Sequence, residues 1–129
     1  MPPSASITEA EWHVMKILWD RPGEWLAASE IVEPVSQGRG IHHRTVRTLL
    51  ARLVKKKAVE TRSEGAAYLY KAGVSRDAVV RNESKTFLSR VFDGNAAPAL
   101  VHLLTESRGK LSAEQLKHLR DLLNGKEKP

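Results

Sequence analysis

Seven side chains between residues 44 and 56 are suited to one kind of chemistry. Arg44, Thr45, Arg47, Thr48, Arg52, Lys55 and Lys56 are all hydrogen-bond donors, and no acidic residue occurs between Arg39 and Val59. Arginine can bond guanine with two parallel hydrogen bonds, and threonine can bond a base edge or touch a thymine methyl. Lysine and arginine also pair with phosphates, which position a protein on a duplex without specifying sequence. Arg44, Arg47 and Thr48 fall early in the segment, where reader helices touch bases. Arg52, Lys55 and Lys56 fall late, where phosphate contact is expected. Arg39, His42, His43 and Arg62 flank the segment and complete the set of candidate DNA contacts.

Other chemistries find no residues. His42 and His43 are adjacent, so on a helix their rings diverge. No cysteine occurs anywhere, and His13, His102 and His118 are scattered, so no metal or cofactor is expected. A catalyst would need a nucleophile with a base, paired carboxylates or a phosphate loop. Gly38-Arg39-Gly40 is too short for a phosphate loop, and no Gly-x-Ser-x-Gly elbow exists. We expect no enzyme.

The positioning elements follow from periodicity. Val46, Leu49, Leu50, Leu53 and Val54 recur at i, i+3, i+4, i+7 and i+8, so residues 43–57 form an amphipathic helix with the basic set opposite its apolar stripe. Before it, Thr8 and Glu11 make a capping box, with Ile7 and Trp12 as the staple. That helix buries Trp12, Val14, Met15, Leu18 and Trp19 and ends before Pro22-Gly23. Trp25-Leu26 reads as a short strand. Ala28 to about Val35 reads as a short helix that turns Ile31 and Val35 inward and is cut short near Pro34. Gln37–Gly40 reads as a loop. This is the helix-turn-helix order with the later helix as reader.

Val59–Arg62 and Ala67–Lys71 alternate like strands about a turn at Ser63–Ala66, with Gly65 in the left-handed region. A hairpin after a reader helix makes a winged helix. Arg62 and Lys71 are expected to flank a phosphate backbone, and Tyr68 and Tyr70 to pack on the sheet. Ser75 caps a long helix to about Phe92, a short helix spans Ala97–Thr105, and Ser112 with Gln115 opens the last helix. The fold class is mainly α: a winged-helix DNA-binding domain over residues 1–73, then a three-helix domain over residues 74–129. Those last helices carry Val80, Phe87, Leu88, Val91, Leu100, Leu103, Leu104, Leu116, Leu119 and Leu123, more than so small a piece can cover alone. Pairing with a second copy would cover them, so these ten are the candidate dimerisation residues.

Composition agrees. The formal net charge is +6 over 129 residues. Residues 39–62 hold eight basic residues against Glu60 alone, a net +7, so the remaining 105 residues carry −1. Charge concentrated in this way is a nucleic-acid footprint. Helical entry into a major groove selects double-stranded DNA over RNA. No apolar run approaches the roughly 20 residues of a membrane span. Met1-Pro-Pro-Ser-Ala-Ser6 is not an export signal. A cytoplasmic protein without membrane insertion is expected. The competing class is a winged-helix interaction module docking an acidic protein.

Ile7-Thr-Glu-Ala-Glu-Trp-His-Val-Met-Lys-Ile-Leu-Trp19, Ala28-Ser-Glu-Ile31 and Arg44-Thr-Val-Arg-Thr-Leu-Leu-Ala-Arg-Leu-Val-Lys-Lys-Lys57 together resemble the penicillinase repressor family of bacterial regulators. Tyr68-Leu-Tyr70, Ser84-Lys-Thr-Phe-Leu88 and the leucine-rich last helix extend the likeness from about Ile7 to Leu123. The resemblance implies a homodimeric repressor on a dyad operator, reading DNA through Arg44, Thr45, Arg47, Thr48 and Arg52. It also implies release by a sensor-linked protease that cuts the dimerisation domain, with Leu103-Leu104 as the aligned bond. Two places depart from the family pattern. His42-His43 stand where Ser-Pro is common, so the helix cap must differ. The cysteine motif of copper-responsive relatives is missing, which argues against copper sensing.

Overall fold

The computed structural model describes residues 6–126. The stretch Met1–Ala5, read above as no export signal, lies outside them. Six helices and a three-stranded sheet follow in the order α1 (Glu9–Trp19), β1 (Leu26–Ala27), α2 (Ala28–Arg39), α3 (His43–Lys55), β2 (Val59–Glu64), β3 (Ala67–Ala72), α4 (Arg76–Phe92), α5 (Ala96–Glu106) and α6 (Ala113–Leu123). The chain divides into two compact units, one ending at Ser84 and one beginning at Lys85.

The first unit is a winged helix built on a sealed core. In α1, Thr8 accepts from the Glu11 amide and Glu11 accepts from the Thr8 amide, closing the expected capping box. Val14, Met15 and Leu18 of α1, Ile31, Val32 and Val35 of α2, and Val46, Leu49, Leu50 and Leu53 of α3 are buried against one another. Trp12, Ile17 and Trp19 lie partly buried around them. Val79, in the first turns of α4, is fully buried in this same core. The Trp19 indole donates to the Val74 carbonyl at 3.0 Å. The start of α4 is therefore anchored in the winged helix.

Three boundaries in the helix-turn-helix differ from the sequence reading, and both wing strands run past theirs, β2 to Glu64 and β3 to Ala72. α2 does not stop at Pro34 but runs to Arg39, so Gln37–Arg39 are helical and not a loop. Pro34 removes one i→i−4 bond, yet burial of Ile31, Val32 and Val35 holds the helix through it, because packing outweighs local propensity. Gly40, at φ +66°, ends the helix, its amide bonded to the Ser36 carbonyl. The first strand is Leu26–Ala27 rather than Trp25-Leu26. α3 ends at Lys55, two residues early, because Lys57 turns into the left-handed region at φ +67°. The Ala58 amide then reaches Leu53 O and the Lys57 amide Val54 O, both at 3.0 Å, a Schellman closure made without glycine.

The sheet is antiparallel in the order β1-β3-β2. Glu64 pairs with Ala67, so the hairpin turns on two residues, Gly65 and Ala66, with Gly65 at φ +63°. Glycine at position 73 is a matter of space. A Cβ there would lie 2.9 Å from the Lys57 carbonyl oxygen, and the Gly73 amide donates to Ala58 at 2.8 Å. This contact ties the exit of the wing to the exit of α3.

The second unit holds the rest of α4, with α5 and α6. Asn95 caps α5, and Ser112 and Gln115 form the second capping box. Phe87 and Phe92 meet edge to face at 5.7 Å, and Phe92 lies 5.8 Å from His102. Among its described residues only Ala99 is buried. Phe87, Val91, Val101, Leu103, Leu104, Leu116 and Leu123 are exposed, and Leu88, Leu100 and Leu119 are partly so.

Candidate nucleic-acid interface

α3 is fixed from behind and open in front. Its buried stripe is Val46, Leu49, Leu50 and Leu53. Arg44, Thr45, Arg47, Thr48, Arg52 and Lys55 are all exposed. Among the described residues the side chains of Arg44, Arg47, Arg52 and Lys55 make no hydrogen bond or ion pair. The Thr48 hydroxyl donates to the Arg44 carbonyl at 3.1 Å, which leaves its lone pairs outward.

The missing Ser-Pro cap has a local substitute. His42 sits at the N-cap with extended backbone, and its Nδ1 accepts from the Arg44 amide at 3.0 Å. An imidazole thus does the work of a serine hydroxyl. His43 turns away, and its Nε2 lies 3.1 Å from Glu33 Oε1. Arg39 Nη2 lies 3.0 Å from His13 Nε2. Burial, then the charges of Arg39 and Lys16, hold His13 below the ordinary imidazole value, so its ring can accept from the guanidinium. Among the described residues no group of three His, Asp or Glu side chains converges to hold a metal ion.

Lys56 leaves the open face. Its ammonium lies 2.6 Å from Glu11 Oε1 and donates to the Ser6 carbonyl at 2.9 Å. The Glu11 side chain is 1% exposed. Burial would raise its pKa, but the hydrogen bond from Lys56, then the Thr8 amide, and the Lys56 charge outweigh that and hold it below the ordinary 4.5. Lys56 was expected on DNA phosphate, and here it neutralises a buried carboxylate. The partners are 45 residues apart in sequence, so periodicity gives no hint of the pair.

Register sorts the wing residues into two faces. Thr61 pairs with Tyr70, Arg62 with Leu69, and Ser63 with Tyr68. Side chains alternate along a strand and opposed residues share a face. Thr61, Tyr68 and Tyr70 therefore look toward α3, and Arg62 and Lys71 look away. The outward pair meets Trp25: the Arg62 guanidinium stands 4.5 Å and the Lys71 ammonium 4.7 Å from the Trp25 ring centre. Arg62 also pairs with Glu64 at 3.2 Å. Both tyrosines were expected to pack on the sheet; Tyr70 also reaches the core, whereas Tyr68, on the same face, is 58% exposed beside α3. Counting outward from the two-residue turn would have assigned these faces from sequence.

The arrangement as a whole is a rigid basic helix flanked on one side by a hairpin. A model of the family described as penicillinase repressor matches residues 7–125 of the chain. The chain is 29% identical over 118 residues to a penicillinase repressor of Staphylococcus aureus, covering 92% of this chain and 90% of that one. It is 28% identical over 120 residues to the methicillin resistance regulatory protein MecI of Staphylococcus aureus strain N315, covering 93% and 94%. The solution structure of the DNA-binding domain of the repressor BlaI superposes with a TM-score of 0.52 at 28% identity, over 59% of this chain and 90% of that one.

Proposed function

The chain belongs to the penicillinase repressor family, and from that premise we propose that it is a sequence-specific DNA-binding transcriptional repressor, not an enzyme, acting as a homodimer on a dyad operator. One observation carries the proposal: α3 is sealed into the core along one side, and from Arg44 onward its polar exposed residues are Arg, Thr and Lys alone, none of them partnered by acid. Arg44, Thr45 and Thr48 are placed to meet base edges, and Arg52 and Lys55 to meet phosphates. His42 caps the helix within the same contact region. Arg39, His43, Lys56 and Arg62, each bound to a neighbouring side chain, support the surface rather than lead it.

We assign DNA binding to residues 1–73 and dimerisation to residues 74–129, with the first turns of α4 anchored in the winged-helix core. The exposed apolar residues of the second unit, with Val80 of α4, support pairing with a second copy. Two reader helices would then fall about 34–36 Å apart, one turn of the duplex. Among the described residues no helix is long and apolar enough to cross a membrane, which fits a protein working in the cytoplasm beside its DNA.

Release would follow from cutting between Leu100 and Thr105 by a sensor-linked protease. Leu103 and Leu104 lie within α5 and are 52% and 38% exposed, so the protease must unwind a helix whose apolar side the partner also needs. The direct test of the whole reading is capture of genomic fragments on the pure protein, sequencing, and titration of the recovered site against random duplex. A recovered site with dyad symmetry, bound far above random DNA, is the expected result. Binding to random and recovered DNA alike would refute it.

A further inference from the structure

A cleft runs between α3 and the inner face of the wing, with Leu50, Ala51 and Val54 among its floor residues and Arg47, Tyr68 and Tyr70 on its walls. Among the described residues no carboxylate lines it. Resting on the DNA reading above, we propose that this cleft seats the sugar–phosphate strand bordering the groove that α3 reads, with Arg47 and the Tyr68 hydroxyl holding one phosphate between them. Tyr68 would then be a DNA-contacting residue, and Arg47 a backbone contact rather than a base reader.

Four observations converge on this. Arg47 lies one residue before Thr48, about 100° round the helix, so it is turned from the Arg44-Thr48-Arg52 line toward the hairpin. Tyr68 is 58% exposed, and its hydroxyl has no partner among the described residues. Thr61, the other hydroxyl on this wall, already donates to the Leu69 carbonyl at 3.1 Å and has no proton to give. The apolar floor suits the face of a deoxyribose, while a guanidinium and a phenol suit the non-bridging oxygens of its phosphate. The outer face of the wing offers nothing comparable: Glu60 and Glu64 stand there, and Arg62 and Lys71 are drawn onto Trp25.

The test separates the charged contact from the neutral one. Tyr68→Phe removes a single hydroxyl at an exposed site, so melting should not move. It should weaken operator and random DNA equally, roughly tenfold for a hydrogen bond to a charged group, with no change in salt dependence. Arg47→Ala should also weaken both DNAs equally, and should lower the slope of log affinity against log salt by about one. Operators carrying single methylphosphonates along the bordering strand supply the second readout. One position should weaken the wild type and leave the Arg47→Ala, Tyr68→Phe double variant unaffected. The proposal is overturned if Tyr68→Phe and Tyr68→Ala both bind as wild type, or if Arg47→Ala lowers only the preference for operator. A wild-type protein that binds no DNA would overturn the underlying reading as well, and that outcome cannot be mistaken for the others.

Discussion

Leu53 and Leu103 occupy similar places, each on the apolar stripe of an amphipathic helix, yet Leu53 is fully buried and Leu103 is 52% exposed. The contrast extends to the units that hold them. α1, α2, α3 and the sheet close on one another, and the start of α4 adds Val79 to the same core. The second unit has stripes at similar spacing, Leu100, Leu103 and Leu104 on α5 and Leu116, Leu119 and Leu123 on α6, but among the described residues these leucines stay exposed or only partly covered. Covering a leucine is worth about 1.5–3 kcal/mol, so one unit has collected that stabilisation within the chain and the other, on the proposed reading, leaves it for a second copy. A core complete in itself can hold a reader helix rigid. If the second unit completes its core on a second copy, as proposed, that core can be taken apart, and binding with it.

The largest expected effect breaks the comparison by deletion. A chain ending at Val101 should keep the first unit folded, with a cooperative melt, yet lose operator affinity by roughly two to four orders of magnitude, because the second half-site is no longer reached intramolecularly. Operator binding within a few-fold of the full chain would show that the second unit is not the lever. Next, Leu53→Ala should destabilise the first unit by about 2–5 kcal/mol in urea titration. Leu103→Ser should shift that transition by no more than about 0.5 kcal/mol, while weakening dimerisation at least tenfold by sedimentation. Equal effects of the two substitutions on unfolding would erase the distinction between the units.

Lys56→Met should cost about 3 kcal/mol, since it strands the Glu11 charge in the core. The acid dependence carries its own sign. The folded pKa of Glu11 lies below its unfolded value, so the stability it contributes is complete above about pH 4.5 and is lost as the pH falls below that. Lys56→Met should flatten this acid limb in a pH-resolved melt. If Lys56→Met instead left stability unchanged and only flattened the salt dependence of DNA binding, Lys56 would be a phosphate contact after all. The smallest effects belong to the open face. Arg44→Ala should reduce the preference for operator over random DNA by about 1–3 kcal/mol, whereas Lys55→Ala should weaken both and lower the salt slope by about one.

What could be read from sequence tracks the distance over which each feature is determined. The α3 stripe and both capping boxes are set within a few residues and stand where the pattern puts them; the hairpin does too, except that its turn tightens from Ser63–Ala66 to Gly65 and Ala66. The extension of α2 through Pro34 is not local, since α1 and α3 hold its buried face in place. The Lys56–Glu11 pair needs the fold before it exists. The Trp25 stack with Arg62 and Lys71 needs the register, as does the exposure of Tyr68. His42 as a cap was legible only as a question, because the position was known and the atom that fills it was not. The leucines of the last helices were legible as a surplus, though not where a second copy would meet them.

Light scattering of the full chain at micromolar concentration, alone and with one operator duplex, tests the central claim most directly. We expect twice the chain mass of 14.4 kDa in both conditions, net of DNA, and half that mass with weakened operator binding once Leu103 and Leu123 are changed to Asp. A single-chain mass for a protein that still binds its operator tightly would contradict a repressor whose second unit completes itself on a copy.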